Sequence, residues 1–197
     1  KDYEQNVKKP LYALAEGLVP YALKIDDDME QLPRRIVSRI RRDTRFTKDK
    51  SPYRSHMWLS FHPMSKPKWA CFGLYYDISP DCSCYGGGFY DSDPARARWM
   101  RALLLRRQRE LVQILTDPAF AAHYRILGED YKRIEIPEEL HPALRDLYRK
   151  KSFYVEHNDG LDPRISRPEY AQEIGAGMLL LKPLYQLLTN EYGDFAE

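Results

Sequence analysis

Apolar positions recur along this chain with two different periods, and the changes from one to the other divide it into parts. Tyr3, Val7, Leu11, Leu14 and Leu18 fall on one face of a helix. Pro10 is expected to bend that helix and Pro20 to stop it, at Gly17 or Tyr21, because proline lacks a donor and clashes with the preceding turn. Since the period is present from the first residues, the chain is expected to begin inside an element, after a short N-terminal segment. From Trp69 the period is two: Ala70, Phe72, Leu74, Tyr76 and Ile78 alternate with Trp69, Cys71, Gly73, Tyr75 and Asp77, as in a strand with one buried face. The aromatic runs 56–61 and 82–90 flank it. The proline-bearing turns 63–67 and 79–81 between them predict an antiparallel meander.

The helical period returns at Asp93-Pro94, a cap followed by proline at the first helical position. Met100, Leu103, Leu104, Leu111, Ile114 and Leu115 line its inner face, and Asp117-Pro118 is expected to end it. A short helix at 142–150 leads into an extended segment at 152–157. The last helix is expected from Ser166, with Ser166 and Glu169 as a capping box. Tyr170, Ile174, Met178, Leu181, Tyr185 and Leu188 form its inner stripe, and Pro183 kinks it. Residues 35–46 contain β-branched Ile36, Val37 and Ile40 and favour a strand with Arg39, Arg41, Asp43 and Arg45 on one face; a helix would cluster Arg39, Arg42 and Asp43 instead. Strands in the middle with helices around them define a two-layer α+β domain with a central, mainly antiparallel sheet, and 197 residues suit one domain spanning 1–197.

Composition narrows the class. With 43% hydrophobic and 30% charged residues and no apolar run approaching the ~20 residues of a membrane span, the chain is expected to be soluble, cytoplasmic and without a membrane partner. Three cysteines, an odd number, argue for reduced thiols rather than a disulfide framework. The net charge of +2 argues against a large electrostatic footprint, so any nucleic-acid role needs a local patch. The arginines after Asp93 (Arg96, Arg98, Arg101, Arg106, Arg107, Arg109), beside Trp58, Trp69, Tyr75 and Tyr85, form one such strip; on an amphipathic helix such arginines are usually solvated or paired.

The densest candidate chemistry is the run 39–53, where Arg39, Arg42, Arg45 and Lys50 face only Asp43 and Asp49. Two like charges about 5 Å apart at an effective dielectric near 20 cost roughly 3 kcal/mol, which an anion among them relieves. Guanidinium forks suit phosphate or carboxylate, and Tyr53 adds a hydroxyl. In an enzymatic version Asp43 or Tyr53 transfers the proton and Arg42 or Lys50 stabilises developing negative charge. The rival reading is a structural Arg/Asp network that ties a strand to neighbouring loops, in a protein-interaction or nucleic-acid module. Gly86-Gly87-Gly88 either lets a ligand approach the backbone at Gly87 or marks where a ring or another backbone lies against the sheet. Cys71, Cys82 and Cys84 with His56 or His62 have poor zinc spacing, so neither metal nor cofactor is expected.

The pattern Arg39-x-x-Arg42-Asp43-x-Arg45-Phe46-x-x-Asp49-Lys50-x-x-Tyr53 resembles the signature of an uncharacterised, mainly bacterial family, domain of unknown function 2461. Gly86-Gly87-Gly88, Lys151-Ser152-Phe153-Tyr154 and Pro183-Leu184 follow in the order that family shows. The resemblance spans essentially the whole chain and implies a bacterial, soluble, single-domain protein, with no activity attached. Arg41 stands where relatives often have an aromatic, and Cys82 and Cys84 where glycine and an aromatic are expected. The combined expectation is a site for a small anionic or phosphorylated ligand built from Arg39, Arg42, Arg45, Lys50, Tyr53 and Gly87, joined by Lys151 and Tyr154 from the late strand.

Overall fold

A computed structural model describes residues 2–45, 48–89, 93–160, 164 and 167–193. After a π-helical opening, Glu4–Lys8, helix α1 (Lys9–Ile25) buries Leu11, Ala15, Leu18, Ala22 and Ile25. It does not stop at Pro20, as expected from the sequence, but runs one more turn with Pro20 inside it. The apolar stripe continues through Ala22 and Ile25, and its burial outweighs the one hydrogen bond that proline removes. Helix α2 (Pro33–Ile36) is a single turn. The strand expected over 35–46 is therefore replaced by this turn, started by Pro33, followed by extended chain. Isolated bridges Val37↔Leu59 and Arg41↔Tyr53 hold that chain to its neighbours.

Among the described residues five strands form one antiparallel sheet in the order β1-β2-β3-β5-β4. They are β1 (Met57–Phe61), β2 (Phe72–Ile78), β3 (Ser83–Phe89), β4 (Arg125–Leu127) and β5 (Tyr154–Gly160). The first three form the expected meander. The late strand β5 then inserts between β3 and the short β4, which the sequence reading missed. Helices α3 (Pro94–Arg106) and α4 (Gln108–Leu115) break at Arg107, and Asp117, expected only to end a helix, caps a further one, α5 (Pro118–His123). Helix α6 (Arg145–Arg149) precedes β5, and α7 (Tyr170–Leu179) and α8 (Lys182–Gly193) divide just before Pro183. Ser166 lies outside the described residues, and Glu169 makes no side-chain cap.

Phe72, Leu74 and Tyr76 are buried together on one face of β2. Their rings meet the helices edge-on: Phe72 and Tyr185 at 6.0 Å, Tyr76 and Tyr170 at 6.2 Å, and Phe89 of β3 with Trp99 at 5.9 Å. Tyr170, Ile174, Met178, Leu181, Tyr185 and Leu188 are all buried, as their spacing predicts. Trp58, Ser60, Tyr75, Asp77, Tyr154 and Glu156 face the other way and stay partly exposed, so the helices form the second layer on one face of the sheet. No described helix is long and apolar enough to cross a membrane.

Candidate functional site

The signature run leaves α2 along the edge of β1 and folds back as a two-stranded arm. Ser38 N–H donates to Trp58 O at 2.8 Å, Arg42 N–H to Pro52 O at 3.0 Å, and Arg54 N–H to Ile40 O at 2.9 Å. Alternation along the extended chain turns Ile40 toward the core and leaves Arg39 and Arg41 in solvent. Within the arm Arg45 forks onto Asp43, with Nε at 2.9 Å and Nη2 at 2.7 Å, and Arg42 pairs with Asp49. Ser51 donates to Asp49 through its N–H and hydroxyl, and Lys50 donates to Thr44 O at 2.8 Å. Phe46 lies outside the described residues.

These contacts set the carboxylate chemistry. Arg45 holds Asp43 below its ordinary range, and Ser51, then Arg42, bring Asp49 down to about 2. Asp43 is therefore a poor proton acceptor at neutral pH. Tyr53, 56% exposed, sits opposite Arg41. The network is a solvated one: the Arg42 and Asp49 side chains are 28% and 53% exposed and those of Arg45 and Asp43 more than half, so it is not a buried tie between strand and loops.

The remaining expected residues are placed elsewhere. Lys151 and Tyr154 do not join the run, because β1 and β5 are separated by two strands, roughly 14 Å of sheet. Lys151 instead pairs with Glu129 at 3.5 Å and helps to line a cavity of about 20 Å³ with Arg96 and Lys150. Gly87 lies on the core face, where a Cβ would meet the Phe72 ring at 2.5 Å, so a ring packs against this part of the sheet. The arginine strip on α3 and α4 is mostly occupied: Arg96 is buried against Phe89 and Tyr192, Arg101 lies 5.0 Å from the Tyr131 ring, and Arg106 and Arg107 pair with Glu191. Among the described residues no group of three or more His, Cys, Asp or Glu is arranged to hold a metal ion.

What the structure does assemble around Arg39 is an open groove of about 530 Å³, whose lining includes Arg34, Arg35, Arg39, Trp58, His62 and Lys68, with Met64 and Glu30 also in its wall. Pro33 at the start of α2 and the bridge at Val37 hold the arginine-bearing segment against β1. Glu30 is buried and spent on local structure, accepting from the Gln31 and Leu32 N–H groups at 3.1 and 3.0 Å and from Arg35 at 3.2 Å. Burial alone would raise its pKa, but the Leu32 and Arg35 bonds outweigh burial and hold it low. None of the described carboxylates forms an ion pair with Arg34, Arg39 or Lys68. At the groove wall His62 Nδ1 is closed to solvent without a hydrogen-bond partner, and burial, then Lys68, lower the His62 pKa, so the ring is neutral at neutral pH. Arg54 lies 4.5 Å over the Trp58 ring and joins groove to arm.

Except for Arg39, the cations of this groove escaped the sequence reading, although a signal was present. Residues 31–70 hold eleven of the chain's 31 Lys and Arg but two of its 29 Asp and Glu, a local excess of nine positive charges in a chain of net +2. Averaging over the whole chain concealed it. The fold and the groove together define a two-layer α+β protein with a strongly cationic edge. The family model described as "Conserved hypothetical protein (DUF2461)" matches residues 1–187, and the chain belongs to that family. No curated protein matches the chain significantly.

Proposed function

We propose that the protein binds a phosphorylated or similarly anionic ligand in the groove between α2 and β1, with the signature arm as its cationic extension. The observation that carries this reading is the gathering of Arg34, Arg39 and Lys68 around one concavity, none of them ion-paired with a carboxylate among the described residues, inside a segment of net +9. Like charges held together raise the energy of that edge, and an anion among them lowers it. Arginine forks supply paired donors to phosphate oxygens, and Lys68 adds a point charge. Asp43, held low by Arg45, does not favour a proton-transfer role, so the reading is one of binding. The three cysteines are unpaired, which supports a reducing compartment such as a bacterial cytoplasm.

Titration with tripolyphosphate, followed by thermal denaturation, tests the reading. At about 100 times its Kd the ligand adds ~2.7 kcal/mol, which raises the Tm by about 5 to 10 °C for a chain of this size. Arg34→Ala and Arg39→Ala abolish that shift, whereas Arg109→Ala on α4 leaves it intact. A shift that survives both groove substitutions, or no shift in the unaltered protein, overturns the proposal.

A further inference from the structure

The groove and arm together have features that a site for one small anion does not need. Four of the five large hydrophobic side chains exposed among the described residues, Leu32, Tyr53, Met64 and Trp69, fall in the same segment 31–70 as the charge excess. Met64 lines the groove, Trp69 follows groove-lining Lys68, and Tyr53 faces Arg41 across the arm. Trp69 and Tyr53 are 62% and 56% exposed, so their rings are open to solvent. Arg54 in the same segment lies 4.5 Å over the Trp58 ring, a guanidinium on an indole.

Arg34, Arg35, Arg39 and Lys68 line the groove and Arg41 follows on the arm, with Arg39 and Arg41 carried by extended chain in which alternate residues lie about 6.6 Å apart. That spacing is on the scale of one nucleotide step in an extended single strand. On the basis of the anion-binding reading above, we infer that the ligand of this edge is single-stranded nucleic acid: phosphates track Arg34, Arg39, Lys68 and Arg41, and unpaired bases stack on Trp69 and Tyr53. Cations beside flat rings are the combination that sequence-tolerant single-strand binding requires. An acidic peptide would engage the cations without using the rings, and a duplex keeps its base faces stacked on each other.

The test uses a fluorescein-labelled oligothymidylate of about twelve nucleotides, within the span of known single-strand sites. Its anisotropy is read against salt, with the matching duplex, poly-L-glutamate and tripolyphosphate as comparators. The expected result is single-strand binding that weakens with salt at a log–log slope of about −3, from four phosphate contacts at about −0.7 each. Arg34→Ala and Arg39→Ala each flatten the slope by about 0.7. Tyr53→Ala and Trp69→Ala leave the slope unchanged and weaken binding about five- to 150-fold through lost stacking. Both rings are exposed, so these variants fold, and circular dichroism checks that. If duplex or polyglutamate binds as well as the single strand, or the ring variants bind normally, the inference falls. If tripolyphosphate binds through Arg34 and Arg39 while the oligonucleotide does not, the inference falls and the anion-binding reading stands. If neither binds, both fall.

Discussion

The hydroxyl of Tyr75 donates to Oε2 of Glu156 at 2.9 Å although strand β3 lies between their own strands. Gly86 makes the crossing feasible, since it is the residue paired with Tyr75 on one side and with Glu156 on the other. Burial, then Glu156, pushes the phenol far above its ordinary pKa, so it remains a donor throughout the accessible pH range. The glycine is also required by the backbone: a Cβ at Gly86 would stand 1.9 Å from Val155 O. Gly86→Ala is therefore expected to destabilise the protein by about 1–3 kcal/mol, measured by urea denaturation. Gly73→Ala is the control. Its Cβ would meet only Phe61 O, at 3.4 Å, and it should change stability by less than about 1 kcal/mol.

Core truncations on α3, on α4 and in the turn between α7 and α8 should cost more. Leu103, Leu111 and Leu181 are fully buried, so replacing each by alanine removes its transfer free energy and leaves a cavity, at about 2–5 kcal/mol. Arg109 is exposed on α4, and Arg109→Ala should fall within about 0.5 kcal/mol of the unaltered protein. Equal costs for both classes in denaturant titrations would show that the helical faces are assigned wrongly.

Those helical faces were readable because α3, α4, α7 and α8 bury one stripe each, and the first three strands because a half-buried strand must alternate. The departures have equally local causes. Asp117-Pro118 carries the same cap and proline as Asp93-Pro94, so reading it only as a stop concealed α5. Strand β4 has three residues, too few for any period to register. Strand order is a long-range property, and nothing in the sequence near Lys151 or Tyr154 tells that β5 pairs with β3 rather than lying beside the signature run. Arg39 was recognised within that run, but its groove neighbours Arg34 and Lys68 lie outside it, and only folding against β1 brings them together.

The signature arm itself should be dispensable for stability. Arg42 and Asp49 form a pair accessible to solvent, and such pairs contribute little. Arg42→Ala is expected to leave the urea midpoint close to that of the unaltered protein, whereas a buried network would lose a large part of its stability on the same change. Gross unfolding of Arg42→Ala would mean that the arm is structural after all. A folded variant with weakened anion binding assigns the arm to the ligand.

Stability should also depend on pH in a window set by imidazoles. His123 Nε2 hydrogen-bonds the Tyr85 hydroxyl at 2.7 Å, and its ring stacks on His157 at 4.0 Å with the rings 8° apart. His157 Nδ1 contacts the His123 carbonyl at 2.8 Å, and its Nε2 contacts Asp159 at 3.2 Å. Burial, then the neighbouring His157, lowers the His123 pKa against the opposing pull of Asp159, and burial with Lys68 does the same for His62. The folded protein thus binds fewer protons than the unfolded chain once pH falls below the ordinary imidazole value of about 6.5. Stability is full above that value and declines as pH is lowered toward the depressed folded-state pKa. Asp28, Glu30, Asp43 and Asp49, all held low in the fold, act in the same direction but below about 4.5, while Asp77, raised chiefly by burial, acts against the histidines, whose contribution falls at about 5 to 6.5. Urea midpoints measured across that window should fall with falling pH. His123→Asn should flatten the slope in part, and adding His62→Asn should flatten it further. A midpoint that rises as pH falls, or a double variant with the original slope, would show that neither buried imidazole is linked to folding.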